Sequence, residues 1–133
     1  MSAPHSPARV IVVNDDTDFL TLMTDLLTDI GGYQVEICRE GNNAYQFVKE
    51  QQPDLVILDI RIDGQETGWT ILECLTLDPT TRPIPLIVCS AAIRELQAHQ
   101  AHLAHYGVDV LTKPFDLDIL LEKCETALAR GRK

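Results

Sequence analysis

Pro53-Asp54-Leu55-Val56-Ile57-Leu58-Asp59 sets four apolar residues in a row directly before a carboxylate. A short unbroken apolar run that follows a proline and stops at a charge predicts a strand buried on both faces, because a strand with one wet face alternates. Upstream, Arg9-Val10-Ile11-Val12-Val13 repeats the pattern and breaks off at Asn14-Asp15-Asp16. Downstream, Pro85-Leu86-Ile87-Val88-Cys89 does the same before Ser90-Ala91-Ala92. A shorter run, Val108 to Leu111, ends at Thr112-Lys113-Pro114. Tyr33 to Cys38 is a fifth strand, in which Val35 and Ile37 alternate with polar neighbours.

Helical spacing fills the gaps. Thr17 is a plausible N-cap, Asp18 suits the positive start of a helix, and Phe19, Leu22, Met23, Leu26 and Ile30 recur on one face. Gly31-Gly32 stops that helix. Asn42 or Asn43 starts a second, with Ala44, Phe47 and Val48 as its apolar face, closed by Pro53. A third runs from about Gly68 to Leu77, where Trp69, Ile71, Leu72 and Leu75 can pack and Asp78-Pro79 ends it. A fourth covers Ile93 to His105 with Gly107 as its stop, and a fifth runs from Asp116 to Ala129. Five alternations of strand and helix predict an α/β fold: a parallel sheet covered by helices on both faces. In that class, ligands gather at the carboxyl ends of the strands.

The bulk properties agree. The 133 residues are 45% hydrophobic, enough for one domain with its own core. Twenty acidic against eleven basic residues give a net charge of −9, which repels phosphate backbones and argues against nucleic-acid binding by this domain. Cys38, Cys74, Cys89 and Cys124 form no CxxC pair and read as reduced, mostly buried thiols of a cytoplasmic protein. The start, MSAPHSPAR, has no apolar signal core, and no stretch reaches membrane-spanning length. Residues 1–7 read as a disordered tail, 8–130 as the folded domain and 131–133 as a C-terminal tail.

Four strands end in reactive polar residues: Asn14, Asp15 and Asp16, then Asp59, Ser90 and Lys113. In a parallel sheet these ends share one side, so residues distant in sequence meet in one shallow acidic pocket. Taken singly, each has another explanation. The first acids could cap a helix, Asp59 could be a turn residue, Ser90 an N-cap and Lys113 a solvated lysine. Together they suit phosphoryl transfer to a carboxylate. A hard divalent cation relieves repulsion between clustered acidic oxygens. Asp59 would be the nucleophile, Lys113 a mobile cation for one phosphoryl oxygen and Ser90 a hydroxyl donor to another.

At these residues the chain resembles the response-regulator receiver family. The blocks VIVVNDDTDFL, PDLVILDIR, PLIVCSA and VLTKPF match its signature segments, and the likeness runs over roughly residues 8 to 129. It implies a flavodoxin-like (βα)5 fold, with a five-stranded parallel sheet of order 2-1-3-4-5. By the same resemblance, Asp59 is the phosphoacceptor, and Ser90 and Lys113 assist it. A magnesium ion, or manganese, would be held by Asp15, Asp59 and the Arg61 carbonyl, with Asn14 acting through water. The Lys113-Pro114 bond would be cis. The implied phosphodonor is a sensor histidine kinase or a histidine phosphotransfer protein. The implied recipient is a downstream protein, an output domain or a second copy of the chain. Such a domain is a phosphoacceptor with slow autodephosphorylation and not a turnover enzyme. No output domain follows residue 133, so action by protein contact alone and origin in a larger regulator or hybrid kinase both fit.

Departures from the family pattern are specific. Asn14 stands where the family has an acid, which implies weaker magnesium binding. Asp16 is near enough in sequence to compensate in part. Ile62-Asp63 replaces the usual Met-Pro, and the loop before Gly68 is about one residue longer. The fifth strand is one residue short and carries Val110 in the place of the switch aromatic. Asn14 and Val110 keep open an alternative, a pseudo-receiver that works as an interaction module without phosphate. A phosphohydrolase is disfavoured because Asp59-Ile60-Arg61 lacks the second carboxylate such enzymes use. His99, His102 and His105 read as a solvated helix face, with metal or pH sensing as the minor alternative. Trp69 reads as packing. Arg94, Glu95 and Gln97 lie on a surface that the resemblance associates with partners.

Overall fold

The computed structural model describes residues 7–61 and 67–130. The loop containing Ile62-Asp63, most of the N-terminal tail and residues 131–133 lie outside the described residues. The strands are β1 (Arg9–Val13), β2 (Gln34–Cys38), β3 (Leu55–Asp59), β4 (Leu86–Ser90) and β5 (Asp109–Thr112). They form one sheet in the order β2-β1-β3-β4-β5, and every neighbouring pair is parallel. The helices are α1 (Thr17–Asp25), α2 (Gly41–Gln51), α3 (Thr67–Leu77), α4 (Ile93–Ala98), α5 (Gln100–His105) and α6 (Leu117–Arg130). Among the described residues, no helix is long and apolar enough to cross a membrane.

Alternation along the buried strands splits the core into two layers. Val10, Val12, Leu55, Ile57, Ile87 and Cys89 pack against Leu20, Met23 and Leu27 from α1 and its extension, and against Leu120 and Cys124 of α6. On the other face, Ile11, Val13, Val56, Leu58 and Val88 meet Ala44 and Val48 of α2, Leu72 and Leu75 of α3, Leu96 of α4 and Leu103 of α5. Both faces of β3 are fully covered, which explains its unbroken apolar run. β2 is an edge strand and only partly buried: Val35 is half-buried, but Ile37 is 40% exposed, so its alternation does not mark one buried face.

Three local expectations change. The N-cap of α1 is Asp16, not Thr17: the extended backbone of Asp16 lets its carboxylate accept from the N–H groups of Asp18 and Phe19. Asp16 is therefore committed to the helix start. That first helix closes in a π-helical turn, Leu26–Ile30, before Gly31. The expected single helix from Ile93 to His105 is two short helices that break at His99 (φ −105°, ψ 13°). The His99 ring is turned inward, with Nδ1 2.9 Å from the Glu95 carbonyl oxygen and its face stacked on Trp69 at 3.7 Å between centroids. A ring bonded to the carbonyl four residues back competes with the helical ladder there.

Candidate functional site

The sheet brings the predicted strand ends together. Asp59 is the last residue of β3 and lies 8% exposed. Its Oδ2 accepts from Nδ2 of Asn14, just past β1, at 2.7 Å. The same oxygen accepts from Nζ of Lys113, just past β5, at 3.0 Å. Oδ1 accepts from the Arg61 backbone N–H at 3.1 Å. Three separate strand ends thus converge on one carboxylate. An open cleft of about 330 Å³ lies over it, lined by Asp59, Arg61, Ser90, Ala91, Ala92 and Lys113.

Each side chain is placed by a local cause. Asn14 is 1% exposed, and its Oδ1 accepts from the Asp16 N–H at 2.8 Å. Ser90 ends β4, and its Oγ accepts from the Ala92 N–H at 2.9 Å. A hydroxyl that accepts there keeps its own proton for another acceptor. The Lys113 N–H donates to the Ser90 carbonyl at 3.0 Å, which extends the β4–β5 pairing to the lysine itself. The Lys113-Pro114 bond is cis. Asp15 follows Asn14 at the same strand end, with an exposed side chain. Cys89 pairs in register with Asp59, but burial pushes its thiol up to about 12, so it stays neutral.

Three contributors were not legible as site residues. Phe19 lies under the Lys113 ammonium, 4.6 Å from Nζ to the ring centroid, a cation–π contact that holds the lysine over the cleft. Glu95 takes the Arg61 guanidinium at 3.1 Å and so ties the chain after Asp59 to α4. Gly68 donates its N–H to the Ile60 carbonyl at 2.8 Å, and a Cβ there would lie 2.4 Å from Ile60 Cα and 2.5 Å from the Asp59 carbonyl oxygen. Only glycine lets α3 start this close to the end of β3. A glycine ahead of a helical apolar pattern was the available signal.

The histidines do not form a solvated face as a set. His99 stacks on Trp69, and His102 lies half-buried with Nε2 3.5 Å from Thr76 Oγ1 and its ring tilted against Tyr106. His105 is exposed and meets Tyr106 edge-on. Trp69 packs against the core, as its position predicts.

Among the described residues, no three or more His, Cys, Asp or Glu side chains gather as a metal group. The contacts on Asp59 are nitrogen donors, from Asn14, Lys113 and the Arg61 N–H, and the acidic oxygens at these strand ends are those of Asp59 itself and of Asp15, which follows Asn14. Magnesium fits such a set, because it needs only one or two carboxylates and keeps several waters. Zinc, with its preference for nitrogen and sulfur, does not.

The family model of the response regulator receiver domain matches residues 10–125. The transcriptional regulatory protein ZraR of Salmonella typhimurium is 34% identical over 124 residues, 93% of this chain and 27% of that protein. The chain thus spans about a quarter of that relative's length. A candidate response regulator from Chloroflexus aurantiacus superposes with a TM-score of 0.78 at 28% identity, covering 94% of this chain and all (100%) of that one. The receiver domain of the sensor histidine kinase PA1611 from Pseudomonas aeruginosa has a TM-score of 0.78 at 22% identity, covering 93% and 99% of the two chains. That domain holds a magnesium ion in its active-site cleft.

Proposed function

The chain belongs to the response-regulator receiver family, and from that premise we propose that Asp59 takes a phosphoryl group from a sensor histidine kinase or a histidine phosphotransfer protein. The observation that carries this reading is the convergence of Asn14 and Lys113 on one oxygen of Asp59, beneath a cleft that Ser90 also lines. A carboxylate oxygen of Asp59 attacks phosphorus. The new P–O bond forms as the donor's P–N bond breaks, and the electron pair leaves with the imidazole nitrogen. The flexible Lys113 stem lets its ammonium follow the charge onto a phosphoryl oxygen. The Ser90 hydroxyl donates to another. A magnesium ion, or manganese, would be held by Asp15, Asp59 and the Arg61 carbonyl, with Asn14 acting through water, and would supply neutralisation of charge on the transferring group. The magnesium ion in the cleft of the Pseudomonas domain supports the choice of magnesium.

The domain is an acceptor and not a turnover enzyme. Two residues past Asp59, where a phosphohydrolase needs an acid, stands Arg61, whose side chain is engaged by Glu95. Phosphate arriving beside Arg61 adds charge where the chain is tied to α4, and so biases the surface of α4, β5 and α6 toward a downstream protein, an output domain or a second copy. Val110, half-buried on that surface, makes this a switch without an aromatic. The setting is the cytoplasm, with residues 8–130 as the receiver unit.

Incubation with magnesium and phosphoramidate, read by intact mass and peptide mapping, tests the reading. One phosphoryl group on Asp59 is the expected result. No adduct at saturating donor favours a phosphate-independent interaction module, a second reading that the Asn14–Asp59 bond supports, since it satisfies the carboxylate from within the protein.

A further inference from the structure

Asn14 is engaged at both ends of its carboxamide. Nδ2 donates to Asp59 Oδ2 at 2.7 Å, and Oδ1 accepts from the Asp16 N–H at 2.8 Å. The second bond fixes the first: only the amide oxygen can meet a backbone N–H, so the NH2 group faces Asp59. Lys113 Nζ reaches the same Oδ2, and the Arg61 N–H takes Oδ1. A nearly buried carboxylate therefore has a donor on each oxygen and an ammonium beside it, all supplied by the chain.

We propose that Asn14 is a positioning residue that clamps Asp59 without a cation and thereby sets how strongly the pocket binds one. The proposal rests on Asp59 being the acceptor. A carboxylate at position 14 would face Asp59 at hydrogen-bonding distance with no proton between them. The two charges would repel, and a divalent ion would be the main source of relief. The amide reverses the sign of that contact. It removes one negative charge from the pocket and adds a hydrogen bond with which an arriving ion competes. Both effects weaken divalent binding. Asp59 meanwhile stays oriented toward the cleft with no ion present. The helix cap contributes as well, because Asp16 holds α1 with its carboxylate and Asn14 with its N–H. The amide orientation is thus locked to the start of α1.

The test compares the native chain with Asn14→Asp and Asn14→Ala. Magnesium alone is the probe, with affinity from calorimetry and thermal midpoints measured in chelator and in magnesium. Asn14→Asp is expected to bind magnesium about tenfold tighter or more, to melt below the native chain in chelator, and to recover when magnesium is added. Asn14→Ala is expected to melt lower in chelator with no such gain in affinity, which separates loss of the clamp from gain of a charge. An Asn14→Asp chain that binds magnesium no tighter than the native one, or melts with it in chelator, overturns the proposal. Phosphoramidate labelling of the native chain runs in parallel. Its failure would remove the acceptor reading, while the chelator melts would still decide the clamp.

Discussion

Two aspartates gather hydrogen-bond donors at opposite ends of the strands. Asp59 closes β3 and draws on groups that follow β1, β3 and β5. Asp78 follows α3, on the side where β3 and β4 begin, and draws on α2 and its own turn. Its Oδ2 takes the Tyr45 hydroxyl and the Lys49 ammonium, and its Oδ1 takes the N–H and hydroxyl of Thr80. The Tyr45 hydroxyl first, then Thr80, hold the Asp78 carboxyl well below the usual carboxylate range. Both aspartates are satisfied, but only Asp59 borders a cleft that also presents an ammonium and a hydroxyl. Asp78 ties two helices and a turn together. What separates the proposed acceptor from a tie is the reach of groups across the sheet toward open space.

The largest contrast is chemical. Asp59→Asn is expected to abolish phosphoryl labelling outright, while Asp78→Asn keeps the native labelling rate. Labelling that survives Asp59→Asn, or fails in Asp78→Asn, would erase the distinction. Next comes the ground beneath the acceptor. Gly68→Ala forces a methyl against the Ile60 backbone and the Asp59 carbonyl. We expect it to cost about 1–3 kcal/mol in urea unfolding and to slow labelling, because Asp59 must shift. The smallest contrast is the pH response at the other end. The Asp78 carboxyl ionises lower in the folded chain than in the unfolded one, where the value is about 3.9. Its contribution is complete above that value and is lost as pH falls toward the folded one. Thermal midpoints between neutral and acid pH should therefore fall more steeply for the native chain than for Asp78→Asn. Parallel curves would show that the tie contributes nothing.

The Asp59 end was far more legible in the sequence than the tie. Apolar runs ending at Asn14, Asp59, Ser90 and Lys113 encode both a parallel sheet and the convergence of its ends, since strand polarity alone carries those residues to one side. The order β2-β1-β3-β4-β5 followed from the family resemblance, and the sheet has it. What could not be read depends on direction, not position. Nothing in the order of residues says that Asn14 aims its amide at Asp59, or that Asp16 rather than Thr17 turns back to cap α1. The break at His99 goes with the inward turn of its ring, onto the Glu95 carbonyl and the face of Trp69, and helical periodicity is blind to both contacts. Gly68 looked like an ordinary helix start, because the backbone it admits belongs to a strand end several residues earlier.

The most direct measurement is amide NMR during titration with beryllofluoride and magnesium, an unreactive stand-in for the phosphoryl group. Saturable shifts are expected at Asn14, Asp59, Ser90 and Lys113, spreading to α4 through Arg61 and Glu95, with Tyr45, Asp78 and Thr80 silent. A spectrum unmoved at saturation, or one that responds first around Asp78, would contradict the assignment of Asp59 as the acceptor.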